Sequence, residues 1–322
     1  MKRVLGWFCG ALLCVSANVV AEEQNFGQWL TEFKQEALSK GISEQTFEAA
    51  FKGVKPIPRI VELDRKQPEF TLTLEEYVSR VVPQRRIRLG KKRLRENRAL
   101  LDRVAAKYGV QPRFLVAFWG IETDFGRLTG GYSVIAAITT LAYDGRRADF
   151  FRSQLMDALQ ILEEGHTTPG KMTGSWAGAM GQAQFMPSTF RAYAVDFDGD
   201  NKIDLWGNKG DVFASAANYL ATVGWDSNQT WGREVKLPEG FDTSLLGLET
   251  KKSLAEWNEL GVRRLSGEDL PERELQASLV QPDEGKYVRS YLVYDNYRAI
   301  MHWNKSHKFA IAVGTLADSI AR

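Results

Sequence analysis

One helical segment of this chain has almost no polar face, and this feature limits the possible folds more than any other. Between Phe114 and Ile121, apolar side chains occupy every angular sector of the helix, so the helix should lie inside the protein. Pro112 is typical of a first helical turn, and Gly126 of a helix end. A chain of 322 residues is long enough to enclose such a helix in a core.

Glu122 stands at the end of this segment and is the first candidate for chemistry. Trp119, Phe118 and Leu115 precede it by three, four and seven residues and therefore share its face of the helix. A carboxyl group among apolar neighbours loses hydration, so we expect its pKa to rise. The group could then hold a proton near neutral pH, as a general acid must. The alternative is a solvated glutamate at a helix end without a catalytic role.

The N-terminus has the pattern of a secretory signal peptide, residues 1–21. Basic residues precede an apolar run from Val4 to Val15, and the predicted cleavage site follows Ala21. The run is short for a membrane span. Both cysteines, Cys9 and Cys14, lie here and lack the small preceding residue of a lipoprotein signal. We expect a soluble exported protein whose mature chain has no thiol chemistry; an uncleaved anchor is the alternative.

The hydrophobic patterns predict a mainly α (α+β) fold in several parts. A helical N-terminal domain is expected over residues 22–96, followed by the core over residues 97–228. Short strand patterns predict a small β-containing insert over residues 229–297. The apolar C-terminal segment, residues 298–322, is expected to return and pack on the core.

A dense basic run occupies residues 85–98. Apolar residues at heptad spacing within it predict an amphipathic helix with a basic face. A nucleic-acid surface is one interpretation, but export and a formal net charge of only +2 argue against it. A solvated face, or one that meets an anionic cell-wall polymer, is favoured.

Residues 175–188 combine small residues with hydrogen-bonding side chains. The small residues allow another chain to approach the backbone closely. Ser175, Gln182 and Gln184 supply hydroxyl and amide groups among apolar neighbours. This mixture suits a cleft for a ligand rich in hydroxyls and amides, and a tight structural turn is the alternative.

Carboxylates occupy positions one, three, five and nine of an EF-hand-like loop that begins at Asp196. The match fails at position six, where Asn201 replaces glycine, although asparagine tolerates the left-handed conformation. It also fails at position twelve, which is Gly207, so we expect Asp211 to substitute just before the next helix. An acidic turn without metal is the alternative. The expected calcium ligands are Asp196, Asp198, Asp200, Lys202 through its carbonyl, and Asp211.

Other catalytic motifs are missing from the sequence. There is no phosphate-binding loop or serine-nucleophile elbow, and none of the three histidines stands in a metal-ligand or nucleophile motif. Asp124 follows Glu122 by two residues, so on a helix it points to a different face and cannot form a carboxylate pair with it.

Taken together, these motifs closely resemble the lytic murein transglycosylase B family. The resemblance is carried by residues 118–126, by residues 178–188, by the Asp-rich loop, and by the ending at residues 296–304. It implies a lysozyme-like helical core with the helical N-terminal domain and the small β-containing insert. It also implies that Glu122 is the sole catalytic acid/base and that Ser175, Gln184 and Tyr219 line a glycan cleft. A lipidated cysteine expected in founding members is absent, which favours a soluble periplasmic protein.

The family's activity implies a reaction on peptidoglycan glycan strands. Glu122 would protonate the glycosidic oxygen between N-acetylmuramic acid and N-acetylglucosamine, and the substrate's acetamido oxygen would stabilise the developing charge. Glu122 would then accept the proton of the 6-hydroxyl, which closes a 1,6-anhydro ring. The alternatives are a hydrolysing muramidase and a non-catalytic, calcium-stabilised peptidoglycan-binding protein. We expect a monomer that binds no nucleic acid, with other cell-wall enzymes as further partners.

Overall fold

A computed structural model describes residues 11–66, 72–283 and 288–321, and for residues 11–24 it describes the backbone alone. The predicted signal peptide therefore lies outside the residues whose side chains are described. Among the described helices, none is both long enough and apolar enough to cross a membrane.

The described part of the chain is mainly helical, which confirms the predicted fold class. Its helices are α1 (Ala11–Ser39), α2 (Glu44–Phe51), α3 (Pro58–Arg65), α4 (Leu74–Val81), α5 (Gln84–Glu96), α6 (Arg98–Tyr108), α7 (Pro112–Thr123), α8 (Val134–Asp144), α9 (Ala148–Glu163), α10 (Pro187–Tyr193), α11 (Lys209–Thr222), α12 (Leu254–Glu259), α13 (Asp295–Trp303) and α14 (His307–Ala321). Its strands are β1 (Tyr132–Ser133), β2 (Thr173–Gly174), β3 (Gly232–Lys236), β4 (Gly247–Ser253), β5 (Arg263–Arg264), β6 (Gln276–Val280) and β7 (Ser290–Val293).

The chain forms two compact units, and each is discontinuous in sequence. The first unit comprises residues 1–65 and 131–178. Its centre is α8, which is buried along most of its length and packs against α9, α3 and α2. The buried carboxylate of Asp64 binds the guanidinium groups of Arg146 and Arg147, which ties the end of α3 to the turn before α9.

The second unit comprises residues 66–130 and 179–322 and holds the helix predicted to be buried. Helix α7 is buried from Phe114 through Gly120, as its lack of a polar face predicted. It packs against α5 and α14, and a Cβ at Gly120 would lie 3.3 Å from Leu316 of α14. The apolar C-terminal helix α14 therefore packs on α7.

The second unit also contains the predicted β-containing insert. Its five strands are antiparallel and follow the order β4-β6-β7-β3-β5. Trp257 of α12 is fully buried against the sheet, where its indole N–H donates to the carbonyl of Ala277 at 3.0 Å. The predicted domain boundaries, which differ from the limits of the compact units, stay a proposal.

Candidate active site

The backbone turns sharply directly after Glu122. Helix α7 ends at Thr123, three residues before the predicted end at Gly126. Asp124, Phe125 and Gly126 then adopt left-handed conformations with φ of 49°, 63° and 81°. A left-handed backbone conformation costs about 1–3 kcal/mol for each non-glycine residue, so tertiary contacts must hold the turn in place.

Asp124 is the main anchor of this turn. The residue is 3% exposed, and its carboxylate accepts hydrogen bonds from both terminal nitrogens of Arg85, at 3.0 and 2.9 Å, and from Nε of Arg127 at 2.8 Å. These guanidinium groups, Arg85 foremost, hold the pKa of Asp124 well below its usual range despite its burial. Arg85, from the predicted basic face of α5, therefore stabilises the turn after Glu122, and Arg86 of the same helix adds a longer contact of 3.6 Å to Asp124.

Glu122 is half-buried and lines a small apolar pocket with Leu115 and Phe118. Its Oε1 accepts a hydrogen bond from the indole N–H of Trp303 at 2.8 Å. The Trp303 ring lies 4.6 Å from Phe118 and 5.1 Å from Tyr219, measured between ring centroids. An aromatic cluster from α7, α11 and α13 thus orients the carboxyl group. A raised pKa for Glu122 stays a prediction.

The contact with Trp303 was missed from the sequence. The two residues are 181 positions apart, so no local pattern connects them. Trp303 stood only at the end of a segment that carried the family resemblance. Only the structure shows that a tryptophan N–H binds the candidate acid.

Of the three predicted cleft residues, Tyr219 belongs to this cluster, and Gln184 directly precedes Phe185, whose ring centroid lies 5.2 Å from that of Trp303. The Tyr219 hydroxyl donates to the carbonyl of His302, and burial raises the pKa of Tyr219. Gln184 has a left-handed backbone with φ of 50°, and its amide donates to the carbonyls of Thr129 and Gly181 at 3.2 and 2.9 Å.

Ser175, the third predicted cleft residue, belongs to the other compact unit. Its hydroxyl accepts from the N–H of Ala177 at 3.3 Å, which closes a local turn. Its place in a glycan cleft stays a prediction.

Gln182 connects the end of α7 to the Asp-rich loop. This residue is 8% exposed, and its Oε1 accepts from the indole N–H of Trp119 at 2.8 Å. Its Nε2 donates to the carbonyl of Trp206 at 2.7 Å, and its own carbonyl accepts from the hydroxyl of Thr123 at 3.0 Å. The sequence marked Gln182 as a polar residue among apolar neighbours, but not the partners that it joins.

Three of the predicted calcium ligands lie together in the Asp-rich loop. Carboxylate oxygens of Asp196, Asp198 and Asp211 lie within 4.8 Å of one another. Asp211 is fully buried, and burial together with the charges of Asp198 and Asp196 raises its pKa. Asn201 has φ of 67°, which confirms that asparagine takes the left-handed position of the loop. Closely spaced carboxylate oxygens fit a hard cation such as calcium.

The rest of the loop differs in detail from the prediction. The Asp200 carboxylate is outside this group and accepts from the N–H of Lys202 at 2.8 Å, so calcium binding by these two residues stays a prediction. Asp211 lies in the first turn of α11 rather than before it. Asn208, which the sequence did not single out, caps α11 and donates to Asp198 at 2.7 Å.

Comparison with known proteins places these features in one family. The transglycosylase SLT domain family matches residues 25–318. The chain is 34% identical over 227 residues to membrane-bound lytic murein transglycosylase B of Escherichia coli, an alignment that covers 69% of this chain and 60% of that protein. The chain thus spans less than two thirds of the length of this curated relative.

Solved structures agree with this match. SltB3 from Pseudomonas aeruginosa, in complex with NAG-anhNAM-pentapeptide, is 48% identical with a TM-score of 0.89, covering 92% of this chain and 79% of that one. The Escherichia coli lytic transglycosylase Slt35 in complex with calcium is 28% identical with a TM-score of 0.78, covering 91% and 92%. The resemblance and the lysozyme-like fold predicted from the sequence are confirmed. With nearly its whole length matched, this chain belongs to the transglycosylase SLT domain family.

Proposed function

We propose that this protein is a lytic transglycosylase that cleaves the β-1,4 bond between N-acetylmuramic acid and N-acetylglucosamine in peptidoglycan. The observation that carries the proposal is the setting of Glu122, a half-buried carboxyl group bordered by apolar residues and oriented by Trp303. The complexes of SltB3 with NAG-anhNAM-pentapeptide and with NAG-NAM-pentapeptide support the substrate class.

In the first step Glu122 acts as the general acid. It donates its proton to the glycosidic oxygen, and the bond from that oxygen to the muramic acid carbon breaks. The nearest acidic residue in sequence, Asp124, is held by Arg85 and Arg127 and is therefore unavailable as a second catalytic carboxylate. The acetamido oxygen of the substrate then stabilises the positive charge on the sugar, as in substrate-assisted glycosidases.

In the second step the ionised Glu122 acts as the base. It accepts the proton of the 6-hydroxyl, whose oxygen attacks the anomeric carbon and closes a 1,6-anhydro ring. The indole N–H of Trp303 stays bonded to Oε1 and stabilises the carboxylate between the two steps. Ser175, Gln184 and Tyr219 are proposed to bind the glycan.

The Asp-rich loop is proposed to bind calcium. Asp196, Asp198 and Asp211 would hold the ion, together with Asp200 and the carbonyl of Lys202. The calcium complex of Slt35 supports the choice of ion. When bound, the ion neutralises the clustered carboxylates and fixes the loop to which Gln182 is bonded. Its role is structural, because no step of the reaction requires it.

Further proposals concern the setting in which the enzyme acts. The signal-peptide pattern supports export to the periplasm, where the protein would meet its substrate and other cell-wall enzymes. The exported protein is proposed to be soluble and monomeric. We also propose the predicted division into domains, with a core over residues 97–228 and an insert over residues 229–297.

The test is the Glu122→Gln variant on purified peptidoglycan sacculi, with products identified by mass spectrometry. We expect wild type to release 1,6-anhydromuramoyl products, and the variant to lose at least about 1,000-fold in rate while remaining folded, because general acid–base catalysis contributes about 10²–10⁴-fold in each role. Glu239→Gln, at an exposed position, is the matched control.

Other outcomes identify the alternatives. Products one water heavier than the anhydro forms would show a hydrolysing muramidase. Binding to sacculi without release of soluble fragments by wild type would show a binding protein. Near-normal cleavage by Glu122→Gln would remove Glu122 from the mechanism.

A further inference from the structure

A groove of about 510 Å³ lies beside the β-containing insert, away from Glu122. Strand β3 and the turn after β5 form one wall, and residues near the end of α14 form another. Asp318 of this groove is bound by Arg113, in the first turn of α7. Glu122 lies nine residues further along the same helix, or about 13 Å at 1.5 Å per residue. The groove is therefore separate from the candidate active site.

The groove contains an open strand edge. Strand β3 pairs with β7 at Gly232, Arg233, Glu234 and Val235. On its other side it pairs with β5 only at Val235 and Lys236. After Arg264 the chain closes a turn, in which the N–H of Gly267 bonds to the carbonyl of Arg264. Among the described residues, therefore, none pairs as a strand with residues 232–234 on the groove side, and such an edge can pair with an extended peptide.

The charges that line the groove are not balanced. Its two carboxylates are already paired, since Glu234 is bound by Arg289 and Asp318 by Arg113. Arg233 binds only the neutral hydroxyl of Tyr294, at 2.8 Å, and has no carboxylate partner among the described residues.

Arg264 adds to this excess of positive charge. Its contact with Glu268 is 3.5 Å long and solvent-exposed, so it is weak. Nε of Arg264 and the hydroxyl of Tyr291 are buried without a hydrogen-bond partner in the described structure, which is uncommon in proteins. Leu265, 49% exposed, adds an apolar contact. Guanidinium groups, an open strand edge and an apolar side chain together fit an extended peptide that ends in a carboxylate.

We propose that this groove is a second binding site, which takes an extended peptide through the edge of β3 and binds its terminal carboxylate with Arg233 and Arg264. The main chain of the peptide supplies strand pairing, and the two arginines supply the preference for a free carboxylate. This site is independent of the cleavage reaction proposed for Glu122.

The test uses the full protein and two probes, acetyl-tetraalanine with a free carboxyl end and the same peptide with an amide end. Isothermal titration calorimetry should show the free acid binding about tenfold more tightly, because charge-assisted hydrogen bonds are roughly twice as strong as neutral ones. This preference should shrink as salt is added. Equal affinity for the two peptides, or no binding of either, would overturn the proposal.

Two variants locate the binding. Arg233→Gln combined with Arg264→Gln should remove the preference for the free acid, whereas Arg88→Gln with Arg95→Gln, which removes the same charge from exposed positions on α5, should keep it. Leu265→Glu changes an exposed side chain and should weaken binding of the free acid without affecting folding. Unchanged binding by both groove variants would refute this location. Because the assay measures peptide binding alone, its failure would leave the proposed cleavage activity untouched.

Discussion

Replacing Gln182 with leucine tests how the end of α7 is held. Leucine has a similar size but cannot accept from the indole N–H of Trp119 or donate to the carbonyl of Trp206, bonds of 2.8 and 2.7 Å in the structure. Trp119 is 4% exposed, so its N–H would remain buried without a partner. The change therefore removes the link between α7 and the Asp-rich loop while retaining most of the volume.

The expected loss of stability follows from these two bonds. A buried donor left unpaired costs about 1–3 kcal/mol, and the lost bond to the half-exposed Trp206 about 1 kcal/mol. The free energy of unfolding should therefore fall by about 2–4 kcal/mol. At about 2 °C per kcal/mol for a chain of this size, Tm should fall by about 4–8 °C.

Urea denaturation of the full protein, followed by tryptophan fluorescence, measures this loss. Gln160→Leu is the matched control, because Gln160 makes an exposed bond to Glu164 and its loss should change stability by less than about 0.5 kcal/mol. A double-mutant cycle with Trp119→Phe should give a coupling energy of about 1–3 kcal/mol. A loss no larger than that of Gln160→Leu, or a coupling energy near zero, would refute the reasoning.

Three further changes test the turn and the loop. Asp124→Asn should lower the free energy of unfolding by about 1–3 kcal/mol at pH 7. Since the pKa of Asp124 is depressed in the folded protein, the free energy of unfolding of wild type should fall as the pH drops below about 4. Urea titrations at pH 7 and pH 3 that give the same difference in free energy of unfolding between wild type and variant would contradict this. Gly126→Ala should lower Tm, because residue 126 has a left-handed backbone with φ of 81° and an added Cβ would lie 2.2 Å from Oε1 of Gln182. An unchanged melting curve would exclude this clash. Calcium at 100 times its Kd should raise the free energy of unfolding of wild type by about 2.7 kcal/mol. Asp198→Asn should reduce this increase, and a chelator should reverse it. An equal increase in both proteins would argue against the site.

Features that depend on local sequence were predicted well. The absence of a polar face predicted that α7 is buried, and the observed burial confirms it. The spacing of the acidic residues predicted a loop in which Asn201 is left-handed, and this is also observed. In both cases the residues that form the pattern lie within a few positions of one another, so the local sequence contains the information.

Features that depend on distant contacts were not predictable in this way. Trp303 reaches Glu122 across 181 positions, and Gln182 reaches Trp119 across 63. The end of α7 was placed at Gly126 because glycine favours left-handed backbone, but the bonds of Arg85 to Asp124 hold non-glycine residues in that conformation earlier. Only the packing of several helices brings these partners together.

The bond between Arg85 and Asp124 has a practical consequence for protein engineering. A shortened enzyme made from residues 97–228 would retain Glu122 but would lack Arg85, Trp303 and all of α14. The carboxylate of Asp124 would then lose its main partner, at a cost of up to about 3–5 kcal/mol for a buried charge. Any minimal version of this enzyme must therefore begin before α5 and continue through α14, even though the proposed chemistry needs a single side chain.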